Sequence, residues 1–382
     1  MLTAARTDNT LIDVPRGLAN VVVAETKLGE VRGQEGFYTY RQYSAVELAR
    51  TRSVEEVWCL LLRGSLPDGT GVADLRQAAT GLSSAVREAL PVIALAGSGD
   101  PLAGVRTALS LEGAATGVRP LYDLSPEERE EELIRLAYAV PVLNAALYRG
   151  RAGRDPIEPD PALGYAANYL WMVNGTLPTE QQADALNAYL VAALDHGFNA
   201  STFAARVIAS TGADAASCLV GALGALSGPL HGGAPGRVLE MLDEIGSEEK
   251  IDSWIAGQIR AGRRIMGFGH PVYRTEDPRS RLLKEIAVRL GGPRVEFALS
   301  VEERIHVLLE ELKPGRQLHT NLEFYTAVMM EAIGLDRALF TPTFAAARVL
   351  GWTANILEQS ADPKIIRPSA RYVGPKAPVP VP

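Results

Sequence analysis

The feature that most limits the possible folds is a helical spacing of apolar residues that recurs along the chain. Alanine- and leucine-rich segments place apolar residues three and four positions apart at residues 183–194, 202–210, 215–226 and 344–357. Alanine and leucine are also strong helix formers. A longer helix is predicted over residues 126–147, because an acid-rich first turn opens it. The pattern predicts an all-α protein of many packed helices.

Strand-like alternation is confined mainly to the N-terminal region. The strand-like segments are residues 21–24 (Val-Val-Val-Ala) and 37–40 (Phe-Tyr-Thr-Tyr), and the glycine-rich stretch 29–36 can close a small hairpin between them. We expect these strands to be peripheral to the helices. The proline-rich tail from Gly374 onward is predicted to be extended, because proline lacks the N–H that helices and central strands require.

Length and composition exclude several classes of protein. With 382 residues and 47% hydrophobic content, the chain can bury a large core and is long enough for two domains. No apolar run approaches the roughly 20 residues of a membrane helix, and the first ten residues do not form a signal-peptide core. A net charge of -7 argues against a nucleic-acid surface.

The cysteines and histidines argue against two further features, a disulfide framework and a zinc site. Cys59 and Cys218 lie far apart inside apolar helical patterns, which fits reduced, buried thiols in a cytoplasmic protein better than a disulfide framework. The five histidines and two cysteines show no pairs at zinc-ligand spacing. We therefore expect no metal site.

A glycine-rich segment around His270 carries the densest group of reactive residues. It reads Met-Gly-Phe-Gly-His-Pro-Val-Tyr-Arg over residues 266–274, and Asp-Pro-Arg follows at 277–279. Glycine permits close backbone approach, and an imidazole can donate a hydrogen bond or transfer a proton near neutral pH. Arg274 and Arg279 can each bind a carboxylate or phosphate through two parallel hydrogen bonds. The segment predicts an anion site. The alternative interpretation, a glycine-rich turn followed by a solvated basic helix, stays open.

Three further segments carry polar groups that a helical core would not otherwise need. His196 lies where one helix pattern ends and Asn199 can cap the next, so a purely structural role for this histidine stays open. His231 lies in the irregular turn Gly-Pro-Leu-His-Gly-Gly-Ala at residues 228–234. Glu323 precedes aromatic residues at the start of an apolar helix, where an acid can also serve only to complement the helix dipole.

Taken together, these segments resemble the citrate synthase family over residues 17–374 of the chain. The resemblance is carried by residues 195–202, 228–234, 267–279, 321–325, 347–352 and 366–368. It implies an all-helical homodimer in which each subunit has a large and a small domain. The implied boundaries are 1–233 for the first part of the large domain, 234–335 for a mobile small domain on the CoA side, and 336–382 for the rest of the large domain and the tail.

The resemblance implies a condensation of acetyl-CoA with oxaloacetate and assigns each residue a role. Glu323 matches the base, His231 the donor to the enolate oxygen, and His270 the group that polarises the keto oxygen or protonates the new alkoxide. Oxaloacetate is expected to contact His196, Arg279 and Arg348 of one subunit and Arg367 of the partner subunit. The CoA thioester, a substrate rather than a cofactor, is expected to meet Met266, Gly267, Gly269 and Arg274.

One departure from the family pattern bears on the mechanism, because the family ordinarily has aspartate where this chain has Glu323. Glutamate places the carboxylate on an arm one methylene longer, and a misplacement of about 1 Å can cost on the order of 100-fold in rate. Three hypotheses follow: a citrate synthase with a glutamate base, a 2-methylcitrate synthase that uses propionyl-CoA, and a non-catalytic metabolite-binding paralogue. The first two differ by one methyl group in an apolar pocket, a discrimination of about 1–3 kcal/mol.

Overall fold

The structure, a computed structural model, describes residues 11–68, 71–78, 80–231, 235–270, 272–273, 275–312, 318–375, 378 and 380. It is 63% helix and 3% strand, which confirms the predicted all-α class. The first eight helices are α1 (Ala45–Thr51), α2 (Val54–Arg63), α3 (Gly71–Gln77), α4 (Ser84–Ala96), α5 (Pro101–Thr116), α6 (Pro126–Arg151), α7 (Tyr165–Asn174) and α8 (Glu180–Ala193). They are followed by α9 (Ala200–Ala209), α10 (Ala215–Leu226), α11 (Pro235–Ile245), α12 (Ile251–Arg260), α13 (Pro278–Leu290), α14 (Pro293–Leu312), α15 (Leu322–Ala332) and α16 (Phe340–Ser360).

A small antiparallel sheet lies before the first helix, in the order β1 (Val31–Arg32), β2 (Phe37–Tyr40) and β3 (Tyr43–Ser44). The predicted hairpin is therefore present between residues 31 and 40. The strand predicted at 21–24 is wrong, since these residues pair with no strand in the described part of the chain. Val22 is 84% exposed, so this short apolar segment covers no apolar layer.

Local hydrogen bonding explains where the long helix α6 begins. Ser125 accepts a hydrogen bond from the backbone N–H of Glu128, and the Glu128 carboxylate accepts one from the backbone N–H of Ser125. This reciprocal pair satisfies two helix-terminal donors. The helix runs four residues past the predicted end, to Arg151, and its apolar middle section is almost wholly buried.

Helix α16 occupies the centre of the core and packs on α2, α6, α8, α9 and α10. Its Gly351 allows a very close approach, because a Cβ at that position would lie 2.2 Å from the carbonyl oxygen of Leu194. The helix is therefore pressed against the chain segment that leads from α8 into His196. Arg348, one turn earlier on α16, is carried into the same region.

The later helices form a second packed group, in which α13 contacts α15 and α12 contacts α14, and α13 also packs on α8. The predicted division at residues 233 and 335 stays a prediction.

Cys59 and Cys218 are both buried and free, as expected for reduced thiols in the core. Among the described residues, no helix has the length and apolarity needed to cross a membrane. In the same part of the chain, no group of His, Cys, Asp and Glu side chains has metal-binding geometry.

Candidate active site

The loop before His270 is bound to the chain segment that enters α15. The backbone N–H of Gly269 donates to the carbonyl of His319 at 2.9 Å, and the N–H of Asn321 donates to the carbonyl of Gly267 at 2.9 Å. Gly267 has a φ of +78°, and a Cβ there would lie 2.8 Å from the Cβ of Phe324. Only glycine fits this backbone without displacing α15.

The tautomer of His270 follows from its backbone partners. Its Nδ1 accepts hydrogen bonds from the backbone N–H groups of Val272 and Tyr273 at 3.0 and 3.1 Å. The ring proton therefore lies on Nε2. Burial, with the charge of Arg279 nearby, lowers the pKa of His270 to about 4, so the ring is neutral at pH 7. Nη2 of Arg279 lies 3.1 Å from Nε2, so two donors converge on one small space that suits a ligand oxygen.

Arg279 is a buried cation with a buried partner. Its Nε and Nη2 donate to the two carboxylate oxygens of Asp277 at 3.0 and 2.8 Å, and both side chains are almost fully enclosed. Burial favours a higher pKa for Asp277, but the guanidinium outweighs it and holds that pKa below its usual value. Asp277 also accepts from the backbone N–H of Leu322 at 3.1 Å. One carboxylate thus joins the start of α13 to the start of α15.

Arg348 is a buried cation whose donors are not satisfied. It is 4% exposed, and its Nε and Nη1 have no hydrogen-bond partner among the described residues. The guanidinium lies over the ring of Phe344, 4.9 Å from the centroid. Burial lowers the pKa of Arg348, with the charge of Asp195 acting in the opposite direction. A buried guanidinium with free donors is suited to bind a carboxylate.

His196 lies against both the loop and the arginines. Its Nε2 is 2.8 Å from the hydroxyl of Tyr273, and its ring centroid is 5.8 Å from that of His270. Burial holds the pKa of His196 well below its usual value, and the charges of Arg279 and Arg348 act in the same direction. His196 is therefore a neutral hydrogen-bonding group.

His231 is fixed by the start of α9. The backbone N–H of Ser201 donates to its Nε2 at 3.4 Å, and the Ser201 hydroxyl lies 2.8 Å from the same nitrogen. Because a backbone N–H can only donate, Nε2 is an acceptor and the ring proton lies on Nδ1. Asn199 caps α9 as predicted, accepting from the N–H of Thr202 at 3.1 Å. Burial lowers the pKa of His231, and Arg348 adds to the effect.

Glu323 lies in the first turn of α15. Its backbone N–H donates to the side-chain oxygen of Asn321 at 3.0 Å, whereas no hydrogen bond joins its carboxylate to another described residue. Burial raises the pKa of Glu323 to about 6, although the charges of Arg279 and Arg237 oppose the rise. A mostly buried carboxylate with a raised pKa is suited to accept a proton near neutral pH. Arg237, on α11, had no role assigned from the sequence.

The charges of Arg279 and Arg348 act on four of the other predicted site residues, which links these groups electrostatically. Arg279 affects the pKa of three of the groups and Arg348 affects two. The six linked residues are His196, His231, His270, Glu323, Arg279 and Arg348.

The other predicted site residues lie elsewhere or have no described position. Arg367 is exposed in the extended tail after α16, and the preceding N–H of Ile366 donates to the hydroxyl of Ser210 at 3.1 Å. Met266 is half-buried and packs against the core beside the predicted CoA-binding glycines. Arg274 lies outside the described residues.

Sequence reasoning missed Tyr273, which the structure places at the centre of the site. Its hydroxyl contacts His196, its backbone N–H contacts His270, and its ring lies beside the guanidinium of Arg279, 5.7 Å from the centroid. Its position three residues after His270 was the available signal. An aromatic ring in a glycine-rich loop does not by itself indicate which groups it contacts.

Comparison with known proteins gives one family across the chain. Residues 17–369 match the family model described as "Citrate synthase, C-terminal domain". A putative citrate synthase 2 of Mycobacterium tuberculosis is 38% identical, covering 94% of this chain and 92% of the relative. A 2-methylcitrate synthase of the same organism is 37% identical, covering 95% and 91%. The solved ternary complex of carboxymethyl coenzyme A and oxaloacetate with citrate synthase from Thermoplasma acidophilum aligns with a TM-score of 0.88 at 28% identity, covering 97% of this chain and 98% of that one.

Proposed function

Because this chain belongs to the citrate synthase family, we propose that it condenses acetyl-CoA with oxaloacetate and water to give citrate and CoA. The single observation that carries the proposal is the buried Arg348 with two unpaired donors. Buried donors without hydrogen-bond partners are costly, so such a group is maintained for an anionic ligand. Arg348 and Arg279 both act on the pKa of His196, and two such cations suit a small dicarboxylate.

The first chemical step requires a base and a donor for the developing enolate oxygen. Glu323 takes a proton from the methyl group next to the thioester, and its carboxyl becomes neutral. The Nδ1–H of His231 donates to the thioester oxygen, which gains negative charge as the enolate forms. Because His231 is neutral, it stabilises this oxygen through a hydrogen bond without carrying a full charge.

The second step joins the two substrates. The enolate carbon attacks the keto carbon of oxaloacetate, and the former keto oxygen becomes an alkoxide. The Nε2–H of His270 points into the space beside Arg279 and donates to this oxygen. Water then attacks the thioester carbonyl, which releases citrate and the CoA thiol.

Binding of the substrates completes the proposal. His196 contributes a hydrogen bond to oxaloacetate, and Arg367 of the partner subunit contributes the remaining cation in a cytoplasmic homodimer with shared sites. Met266, Gly267, Gly269 and Arg274 meet the CoA. We propose no additional cofactor, since the thioester itself supplies the activated carbon.

A second candidate, 2-methylcitrate synthesis from propionyl-CoA, is favoured by the relative of that name at 37% identity. The test is thiol release by purified protein, with acetyl-CoA or propionyl-CoA and with or without oxaloacetate. We expect oxaloacetate-dependent release that is faster with acetyl-CoA. A higher kcat/KM for propionyl-CoA would select the second candidate. Oxaloacetate binding without thiol release from either thioester would select the non-catalytic hypothesis.

A further inference from the structure

A second polar cluster lies beside the segments that carry the active-site residues, around the carboxylate of Glu302 on α14. Glu302 is 6% exposed. The ammonium of Lys284 lies 2.6 Å from Oε2, and the hydroxyl of Tyr325 donates to the same oxygen. The hydroxyl of Thr320 donates to Oε1 at 3.2 Å. Three hydrogen-bond donors thus offset the cost of burying this carboxylate away from water.

Two of these donors belong to the segments that hold the proposed base and the loop histidine. Tyr325 is on α15, two residues after Glu323. Thr320 forms an isolated antiparallel bridge with Phe268, two residues before His270. The buried carboxylate therefore binds the start of α15 and the chain paired with the glycine-rich loop.

The third donor, Lys284, and the hydroxyl of Ser280 both lie on α13, the helix that carries Arg279. Lys284 lies on α13, five residues after Arg279. Ser280, the neighbour of Arg279, donates to the hydroxyl of Thr320 at 2.9 Å. The cluster therefore joins α13, α14 and α15 at one point, although Glu302 has no role in the proposed chemistry.

We propose that Glu302 is a positioning residue, which holds the start of α15 and so the carboxylate of Glu323 at its working distance from the loop of His270. The inference rests on the proposed function. The length of the Glu323 side chain makes this placement demanding, because a misplacement of about 1 Å can cost on the order of 100-fold in rate. Glu302 acts through backbone position rather than through contact with substrate.

The test compares Glu302→Gln with Glu303→Gln, its exposed neighbour on the same helix. The amide keeps the shape of the side chain but removes the charge that binds Lys284. We expect Glu302→Gln to lower kcat by on the order of tenfold or more, with the KM for oxaloacetate within about twofold of wild type. The control variant should change neither value. An unchanged kcat in Glu302→Gln would overturn the proposal.

A double variant separates positioning from loss of stability. Adding Lys284→Met to Glu302→Gln removes the ammonium that has lost its partner; because Lys284 is partly exposed, the melting temperature should change only modestly or recover, while kcat stays low. Recovery of kcat together with stability would overturn the positioning role. If Glu302→Gln does not fold, Tyr325→Phe removes one donor without leaving a charge unpaired. That variant should lower kcat several-fold, and a wild-type kcat would count equally against the proposal.

Amide hydrogen exchange gives a readout that does not depend on turnover. In Glu302→Gln, residues 319–325 should exchange faster than in Glu303→Gln, while α16 should be unchanged. Equal exchange in the two variants would overturn the proposal even in a protein that releases no thiol. Absence of thiol release from wild type would instead count against the proposed function.

Discussion

The side-chain amide of Asn321 donates a hydrogen bond of 2.9 Å to the carbonyl oxygen of Gly269. The side-chain oxygen of Asn321 also accepts from the backbone N–H of Glu323, at 3.0 Å. Because Gly269 directly precedes His270, one capping residue sets the spacing between the proposed base and the loop imidazole. The helix cap therefore contributes to the geometry of the site as well as to the start of α15.

Replacing Glu323 with glutamine should remove the base while keeping the size of the side chain. We expect the condensation rate to fall by on the order of 100-fold or more, which is within the range of general-base catalysis. Binding of oxaloacetate, measured by calorimetry, should persist because the arginines are unchanged. A near-normal rate of thiol release would remove Glu323 from the mechanism.

Glu323→Asp tests whether the backbone position is adapted to the longer side chain of glutamate. We expect the rate to fall, because the bonds of Asn321 fix the helix start and the shortened carboxylate stops about one carbon–carbon bond from its working position. Steady-state thiol release checks this expectation. A rate above that of wild type would mean that the site favours the aspartate that the family ordinarily has.

The pH dependence of the reaction should report the ionisation of Glu323. Burial raises the pKa of this carboxyl to about 6, and only the ionised form can accept the methyl proton. Below about pH 6, kcat/KM for acetyl-CoA should fall about tenfold per pH unit, with a level region above it. His270, with a pKa lowered to about 4, stays neutral over this range. A profile without a decline between pH 7 and pH 5 would contradict the assignment.

Replacement of Arg348 with methionine should weaken substrate binding with only a small loss of stability. Hydrogen bonds to charged groups contribute about 1.5–3 kcal/mol each, so loss of two should raise the Kd for oxaloacetate by about 100-fold or more. The free energy of unfolding should fall less than in Arg279→Met, because Arg348 has no hydrogen-bonded ion pair with a described residue to break, although its charge favours ionisation of the buried Asp195. Calorimetry and urea unfolding measure the two effects. A large loss of stability would indicate a structural role for Arg348.

Arg279→Met is the matched contrast, because this arginine has a buried partner. The substitution leaves Asp277 without its cation, and breaking a buried pair typically costs about 3–5 kcal/mol of stability. We expect a lower urea midpoint as well as weaker oxaloacetate binding. Equal stability of the two arginine variants would contradict the distinction between a paired and an unpaired guanidinium.

Tyr273→Phe removes the hydroxyl that contacts His196 and keeps the ring beside Arg279. A typical hydrogen bond contributes about 0.5–1.5 kcal/mol, so affinity for oxaloacetate should fall roughly 2- to 10-fold. Calorimetry with wild type and variant gives the comparison. Unchanged affinity would show that His196 is oriented without the tyrosine.

Mixing two inactive variants tests the predicted sharing of sites through Arg367. An Arg367→Ala subunit combined with a His270→Ala subunit assembles one intact site in each mixed dimer. Recovery should reach roughly a quarter of normal activity when half the dimers are mixed. Failure to recover activity, after exchange of subunits has been verified, would place Arg367 outside the partner's site.

Much of the helical fold could be predicted because its signals are local. Apolar spacing, glycine stops and the Asn199 cap each depend on a few consecutive residues, so no tertiary contact is needed to recognise them. The same holds for the glycine-rich loop of His270, whose backbone conformation few residues other than glycine can adopt. The strand predicted at 21–24 failed, since a strand also depends on a partner that adjacent residues do not specify.

Only the tertiary structure determines which of the two arginines is paired with a carboxylate and which has unpaired donors. Arg279 and Arg348 are indistinguishable as residue types, yet Asp277 pairs with the first, while the packing of α16 leaves donors of the second unpaired. Tyr273 reaches His196 across 77 residues of chain. Such contacts, and the pKa values that burial raises or lowers, arise when distant helices are brought together. Local residue order therefore predicts the helices and the reactive residue types, and only packing determines which of these groups meet.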